Sequence, residues 1–136
     1  MTCRYMLDTN ICIYLMKHHP PEVAARFAQC YVGEVVISAI TLAELEYGVI
    51  CSGDSSAHNQ AALARLLEDI EVAPFDAAAA ISYGPIRHSS RDRKRDALDK
   101  LIAAHAVALG VTLVTNNEVD FTGYPDLRVE NWVACH

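Results

Sequence analysis

Short apolar runs alternate along this chain with longer stretches in which apolar and polar residues are mixed. The apolar runs predict strands at 5–7, 35–38, 71–73, 112–115 and 127–130, of which the third is a weak edge strand. The mixed stretches predict helices at 10–16, 21–31, 40–51, 57–68, 76–91 and 98–109, with a short helical turn near Val119 and Phe121. This alternation predicts an α/β fold with one mostly parallel sheet of about five strands and helices on both faces.

The chain gives no sign of a second structural unit. Its 136 residues contain no internal repeat, low-complexity tract or linker, so we expect one domain over residues 1–136. The fifth predicted helix contains Gly84 and Pro85, and this pair predicts a bend or an interruption because proline removes a backbone donor.

Composition narrows the class of protein. A hydrophobic content of 52% with 21% charged residues favours a compact globular chain over a disordered one. No apolar run approaches the ~20 residues that span a bilayer, and no charged leader precedes an apolar stretch, so we expect a cytoplasmic protein without a membrane segment. The five cysteines lack the spacing of a zinc site or a disulfide framework, and we expect free thiols.

The formal net charge of −6 argues against a general nucleic-acid coat protein, whose affinity comes from a basic surface. It does not argue against an enzyme acting on nucleic acid, because acidic residues gathered to hold cations give the same balance. Six basic residues fall within fourteen positions, and they form either a solvated helix end and loop or a rim that contacts phosphates: Arg87, Arg91, Arg93, Lys94, Arg95 and Lys100.

Two acidic residues occupy positions with two interpretations each. Asp8 ends the first apolar run, where it either caps the next helix or faces the sheet edge at which α/β folds bind ligands. Glu44 completes a capping box with Thr41, unless the helix begins at Ser38 or Ala39. In that case Glu44 lies among apolar neighbours, which is costly for a carboxylate without a partner or a metal.

The segment DALDKLIAAHAVALG predicts a helix with Asp96 as its N-cap and Asp99 in its first turn, where the helix dipole favours negative charge. Its apolar stripe comprises Leu98, Leu101, Ile102, His105 and Leu109. We interpret His105 as a core histidine with a satisfied hydrogen bond rather than a metal ligand.

The strand TLVT opens into NNEVDF, which ends another strand with short polar side chains. Thr115, Asn116 and Asn117 form either a turn or part of a site, and Asp120 is a candidate cap for the following turn. Each polar residue alone has a structural explanation. Together they favour a site, because Asp8 and Asn117 end neighbouring strands while Glu44 and Asp99 begin helices.

Four segments follow one another in the chain: MLDTNICIYL, ISAITLAELEYG, DALDKLIAAHAVALGVTLVTNN and LRVENW. Together and in this order they resemble the PIN-domain ribonucleases, specifically VapC-type toxins of type II toxin–antitoxin systems. The resemblance implies an acidic pocket of Asp8, Glu44 and Asp99. A fourth acidic position of many members corresponds here to Asn117, which retains an oxygen ligand but removes one negative charge.

The resemblance further implies Mg²⁺ or Mn²⁺ as the cofactor, with Asp8 and Asp99 as metal ligands and Asn117 as an auxiliary ligand. Glu44 would bind the ion or orient and deprotonate the attacking water. The residues expected to hold these ligands or to contact the substrate are Thr9, Asn10, Thr115, Asn116 and Arg95, with Thr9 and Asn10 also capping the first helix.

By the same resemblance we expect an endoribonuclease that cuts structured RNA and inhibits translation, with transfer RNA as the first substrate class and ribosomal RNA as the second. The implied assembly is a homodimer bound to a VapB-type antitoxin, which alone would contact promoter DNA. A catalytically silent PIN-like binding module is the alternative. A haloacid dehalogenase-type phosphatase is disfavoured because Asn10 stands where that family needs a second aspartate.

Overall fold

The computed structural model describes residues 2–93 and 97–133, and its elements alternate as the apolar pattern predicts. The strands are β1 (Tyr5–Leu7), β2 (Val35–Ser38), β3 (Glu71–Ala73), β4 (Thr112–Val114) and β5 (Val129–Glu130). The helices are α1 (Thr9–Lys17), α2 (Pro21–Ala28), α3 (Ala39–Cys51), α4 (Ser56–Asp69), α5 (Ala77–Ser89) and α6 (Ala97–Leu109). Short 3₁₀ turns occupy Gly53–Ser55 and Glu118–Phe121.

The five strands form one sheet in the order β3-β2-β1-β4-β5, and every neighbouring pair is parallel. This confirms the predicted α/β architecture. The central strand β1 pairs Tyr5 with Val35 on one side and with Thr112 on the other. The order of strands reverses between β1 and β4, and open α/β folds bind ligands at the carboxyl end of that gap. Asp8 is the first residue beyond β1.

Alternate side chains of the sheet fill two hydrophobic cores, one on each face. Leu7 and Ile37 join the core formed with α1, α3 and α4. Met6, Val36 and Leu113 join the core formed with α5 and α6. Parallel strands covered on both faces are apolar along their whole length, which explains why the strands read as continuous apolar runs.

Helix α5 continues through Pro85 to Ser89, so the predicted interruption is wrong. The carbonyl that loses its donor is that of Ile81, a residue that is 77% exposed, so water can satisfy it. Ile86 in the next turn is buried against α6 and holds the helix together across the proline. Packing against α6 therefore outweighs the cost of the missing bond.

The buried face of α6 differs from the predicted stripe. Leu98 and Leu109 are each 45% exposed, whereas Ile102 and His105 are buried together with Ala103, Ala104 and Ala106. The small alanine side chains let α6 pack closely against α5, and the larger leucines at its two ends stay half-exposed. No helix in the described ranges has the length and apolar character needed to cross a membrane. Cys3, Cys12, Cys30 and Cys51 are free thiols, and Cys135 lies outside the described residues.

A candidate active site at the carboxyl edge of the sheet

Asp8 is fixed between β1 and α1, and it is only 5% exposed. Its backbone N–H donates to the carbonyl of Val114 at 3.0 Å, and its Oδ1 accepts from the backbone N–H of Ile11 at 2.9 Å. Asp8 is therefore itself the N-cap of α1. The prediction that Thr9 and Asn10 cap this helix is wrong, because both lie inside its first turn. One residue thus satisfies both interpretations of the strand end, as a cap and as a buried carboxylate at the sheet edge.

Burial raises the pKa of the Asp8 carboxyl above its ordinary value. The Thr115 hydroxyl and the backbone amides of Ile11 and Asn10 donate hydrogen bonds that lower it, whereas the nearby negative charge of Glu44 raises it further. The ion pairs between described residues, Arg4–Glu34 and Arg26–Glu130, involve neither Asp8 nor Glu44. The carboxylate of Asp8 is therefore stabilised by neutral donors and lies beside a second acid.

Glu44 lies in the second turn of α3, because that helix begins directly after β2. The Ser38 hydroxyl caps it by accepting from the backbone N–H of Ile40 at 3.0 Å. The capping box of Thr41 and Glu44 is therefore absent. Instead Glu44 Oε1 accepts from the Thr9 hydroxyl at 2.6 Å, which joins α3 to α1 beside Asp8. Because the helix starts at Ser38, Glu44 lies too deep in it to complete a capping box. For this helix start the sequence predicts a functional role for Glu44.

The residues after β4 divide into two groups. Thr115 is fully buried, and its hydroxyl bonds to Asp8 and accepts from the backbone N–H of Asn117 at 3.0 Å. Asn116 is used structurally, since its side chain donates to the Tyr14 hydroxyl and accepts from Asn131, both at 3.3 Å. The Asn117 side chain is exposed and makes no capping bond.

Sequence reasoning missed Tyr14 and Asn131, which together hold Asn116. Asn131 had a detectable signal, because it directly follows the last strand and so matches the strand-end position of Asp8 and Asn117. Tyr14 had none, since an aromatic residue inside a helix is ordinarily part of a core.

Asp99 lies in the first turn of α6 and is half-buried. Helix α6 leads into β4, so its N-terminus points to the same edge of the sheet as Asp8. Arg95, predicted to contact the substrate, and Asp96 lie outside the described residues. Within residues 2–93 and 97–133, no three His, Cys, Asp or Glu side chains form a group that could hold a metal. The structure thus brings Asp8 and Glu44 together, while the metal-binding role of Asp99 stays a prediction.

The family model of the PIN domain matches residues 5–125. This chain belongs to the PIN-domain family. The tRNA(fMet)-specific endonuclease VapC of Shigella flexneri is 39% identical over 131 residues, covering 95% of this chain and 98% of that protein. The structure of VapBC2 from Rickettsia felis bound to a promoter DNA fragment matches with a TM-score of 0.85 and 37% identity, over 94% of this chain and 98% of that one.

DNA-bound VapBC from Salmonella typhimurium matches this PIN domain with a TM-score of 0.87 and 34% identity, over 96% of this chain and 99% of that one. These similarities extend over nearly the whole chain rather than over isolated motifs. They confirm that it is a VapC-type PIN domain and a ribonuclease of that class, as the four sequence segments predicted.

The donors around Asp8 in this PIN domain fit a hard divalent cation. Carboxylate, hydroxyl and amide oxygens are the ligands that Mg²⁺ and Mn²⁺ prefer. A cation held by Asp8 would offset both the burial of this carboxylate and its repulsion by Glu44, which are the effects that raise the pKa of Asp8. The residues present therefore suit the cofactor that the resemblance implied.

His105 supports this edge from the core. Its Nδ1 lies 2.8 Å from the Ser38 hydroxyl, and its ring meets the ring of Phe75 edge to face at 5.3 Å. Burial lowers the pKa of His105, although the charge of Asp76 opposes this. The predicted core histidine with a satisfied hydrogen bond is confirmed, and that bond reaches the residue that starts the helix carrying Glu44.

Proposed function

We propose that this VapC-type PIN domain is a Mg²⁺- or Mn²⁺-dependent endoribonuclease that hydrolyses phosphodiester bonds at the carboxyl edge of its sheet. The observation that carries the proposal is the pairing of buried Asp8 with Glu44, each held by a threonine hydroxyl, at the point where the strand order reverses. A carboxylate pair in this position is suited to a cation and a phosphate rather than to packing.

A bound divalent ion supplies a more acidic water and positive charge opposite the phosphate. Asp8 and Asp99 would hold the ion, and the Asn117 side chain would add an oxygen. Glu44, oriented by the Thr9 hydroxyl, would position the attacking water and accept its proton. Thr115 would hold Asp8 in place through its buried hydroxyl. Hydrolysis would leave a 5′-phosphate, as the family resemblance implies.

The proposed substrate is structured RNA, with transfer RNA first and ribosomal RNA second, and cleavage of either would inhibit translation. The name of the Shigella flexneri relative, a tRNA(fMet)-specific endonuclease, supports transfer RNA. Asn10 is exposed beside Asp8 in the first turn of α1 and is available to a substrate phosphate. Thr9 and Asn116 bind protein groups, so we assign them to positioning.

The proposed partners are a VapB-type antitoxin, a second copy of this chain and, through the antitoxin only, promoter DNA. The solved relatives from Rickettsia felis and Salmonella typhimurium are VapBC assemblies with DNA, which supports this assembly. Exposed apolar side chains on α3 and α5 supply surface for a second copy: Tyr47, Ile50 and Ile81 are each at least 70% exposed.

The test is cleavage of total bacterial RNA and of purified transfer RNA by the wild type, with Mg²⁺ or Mn²⁺ and with EDTA. Asp8→Asn keeps the helix cap but removes the charge, and Asp54→Asn removes a charge from an exposed 3₁₀ turn as a matched control. We expect cleavage by the wild type and Asp54→Asn in metal only, and none by Asp8→Asn. Equal cleavage by all three proteins would overturn the site, and no cleavage by any would favour the silent binding module.

A further inference from the structure

The chain is acidic overall, yet six of its eleven lysines and arginines fall between positions 87 and 100. In the described part of this segment the cations surround a surface pocket of about 350 Å³ between the end of α5 and the start of α6. The residues that line it are Tyr83, Arg87, Arg91, Arg93, Ala97 and Lys100. A concentration of positive charge against a net charge of −6 needs a physical explanation, because the cations repel one another.

Backbone carbonyls hold two of these cations in place. Lys100 is only 6% exposed, and its Nζ donates to the carbonyls of Ser90, at 3.2 Å, and Arg93. The Arg93 guanidinium donates to the carbonyls of Asp120 and Thr122 and lies 5.0 Å from the centre of the Tyr124 ring. The floor of the pocket is therefore positively charged and fixed to the fold.

Arg87 and Arg91 are exposed at the rim of the pocket. The Arg87 guanidinium lies 5.9 Å from the centre of the Tyr83 ring, and Arg91 donates to the carbonyl of His88 at 2.9 Å. Neither arginine forms an ion pair with a carboxylate of the described residues. Their guanidinium groups therefore remain available for bidentate hydrogen bonds to a phosphate.

Two of the residues that line the pocket are linked to residues predicted for the active site. Lys100 directly follows Asp99 in the first turn of α6. Arg93 holds the 3₁₀ turn that begins immediately after Asn117. Through these two links, an RNA strand whose scissile phosphate lies at Asp8 would extend along its backbone to the cations of the pocket.

We propose that this pocket binds backbone phosphates of the RNA adjacent to the bond that is cut, with Arg87 and Arg91 as the contacting residues. This inference rests on the proposed ribonuclease function and adds the surface that attracts RNA to an acidic protein. Arg87 and Arg91 act on binding and not on the chemical step, since neither belongs to the acidic centre.

The test is the affinity for labelled unfractionated transfer RNA, measured by fluorescence anisotropy over a range of salt concentrations in the uncleaving Asp8→Asn background. The double variant Arg87→Gln/Arg91→Gln is compared with the control variant Arg128→Gln. Arg128 is exposed, lies directly before β5 at the amino end of that strand, and donates to the backbone carbonyl of Gly110. We expect about tenfold weaker binding for the double variant. Its salt slope, the magnitude of the slope of log affinity against log salt concentration, should be lower by about 1.4, which corresponds to two lost phosphate contacts at about 0.7 each. Arg128→Gln should bind as its parent does.

In the active background the double variant should raise the KM for transfer RNA and leave kcat nearly unchanged, with an unchanged melting temperature as the folding control. Unaltered affinity and salt slope would overturn the inference even if the wild type cleaves RNA. Normal RNA binding with loss of the complex with a co-expressed antitoxin would overturn it in favour of a protein-binding surface. A wild type that binds RNA but does not cleave it would refute the ribonuclease function alone, and the binding comparison would still decide the role of the pocket.

Discussion

The Thr9 hydroxyl donates a 2.6 Å hydrogen bond to Glu44 Oε1, across 35 positions of sequence. Thr9 follows Asp8 in the chain, so this bond fixes the orientation of one acid relative to the other. It also connects the first turn of α1 with the second turn of α3, the two helices that begin at neighbouring strand ends. Thr9 is therefore a positioning residue whose effect on the reaction passes through Glu44.

Replacement of Thr9 by valine keeps the shape of the side chain and removes the donor. We expect Thr9→Val to lower kcat about tenfold, the equivalent of one lost hydrogen bond of about 1.4 kcal/mol, with little change in KM. Thr9→Ser restores the hydroxyl and should restore most of kcat. Equal kcat for the valine and serine variants would exclude this role.

Asp8→Asn should stabilise the fold while it abolishes cleavage. The folded-state pKa of Asp8 lies above its ordinary value, so the ionised carboxylate destabilises the folded state at neutral pH. This cost is fully present above the folded pKa and disappears as the pH falls through it. Asparagine keeps the cap on α1 without the charge. We expect a melting temperature about 3 °C above that of the wild type at pH 7.5, equivalent to about 1 kcal/mol.

Differential scanning calorimetry from pH 7.5 down to pH 4 tests the origin of this gain. The difference between Asp8→Asn and the wild type should shrink with falling pH, whereas Asp54→Asn should follow the wild type throughout. A gain that is independent of pH would mean that packing, and not the charge of Asp8, is responsible.

Divalent cations should stabilise the wild type through the same carboxylates. At a Mg²⁺ or Mn²⁺ concentration ten times its dissociation constant, the free energy of unfolding should rise by about 1.4 kcal/mol. Asp8→Asn should lose this response, and EDTA should reverse it in the wild type. The measurement is the melting temperature at constant ionic strength, with NaCl as the matched salt. An equal response of both proteins would place the cation elsewhere.

The elements of this fold were predictable because strands buried on both faces read as uninterrupted apolar runs, as at β1 and β2. The strand-end position of Asp8 was equally informative, since it depends only on where an apolar run stops. What the sequence could not decide was which residue satisfies each polar group. The capping of α1 by Asp8 and the bond from Thr9 to Glu44 depend on how α1 and α3 approach each other.

The buried face of α6 was mispredicted for a related reason. Hydropathy ranks leucine above alanine, but close packing of α5 and α6 selects small side chains, so Ala103 and Ala106 are buried and Leu98 is exposed. Asn116 illustrates a limit of the candidate site, because its partners Tyr14 and Asn131 are distant in sequence and carry no common motif. Side-chain partners across elements need the tertiary structure.

Asn117→Asp should strengthen metal binding by restoring the acid that many family members carry at this position. The Asn117 side chain is exposed, and its backbone N–H is already bonded to Thr115, so the substitution leaves the turn intact. We expect the Mn²⁺ concentration for half-maximal cleavage to fall about tenfold, since an amide ligand becomes a charged one. Asn117→Ala should raise that concentration. A metal titration unaffected by either change would remove Asn117 from the site.

His105 should make the stability of the wild type fall as the pH is lowered. Burial places its folded-state pKa below the unfolded value of about 6.5, so between these two values the unfolded chain takes up a proton that the fold excludes. The negative charge of Asp76 and a hydrogen bond to the backbone of Pro74 raise the pKa of His105 and so oppose this effect without reversing it. His105→Gln should lower the melting temperature at pH 7.5, because the bond to Ser38 and the contact with Phe75 are weakened at a cost of about 1–3 kcal/mol.

The same variant should lose less stability than the wild type between pH 7.5 and pH 5.5. The exposed His58→Gln variant should keep the wild-type pH dependence, and an identical pH slope for all three proteins would show that His105 does not titrate on unfolding.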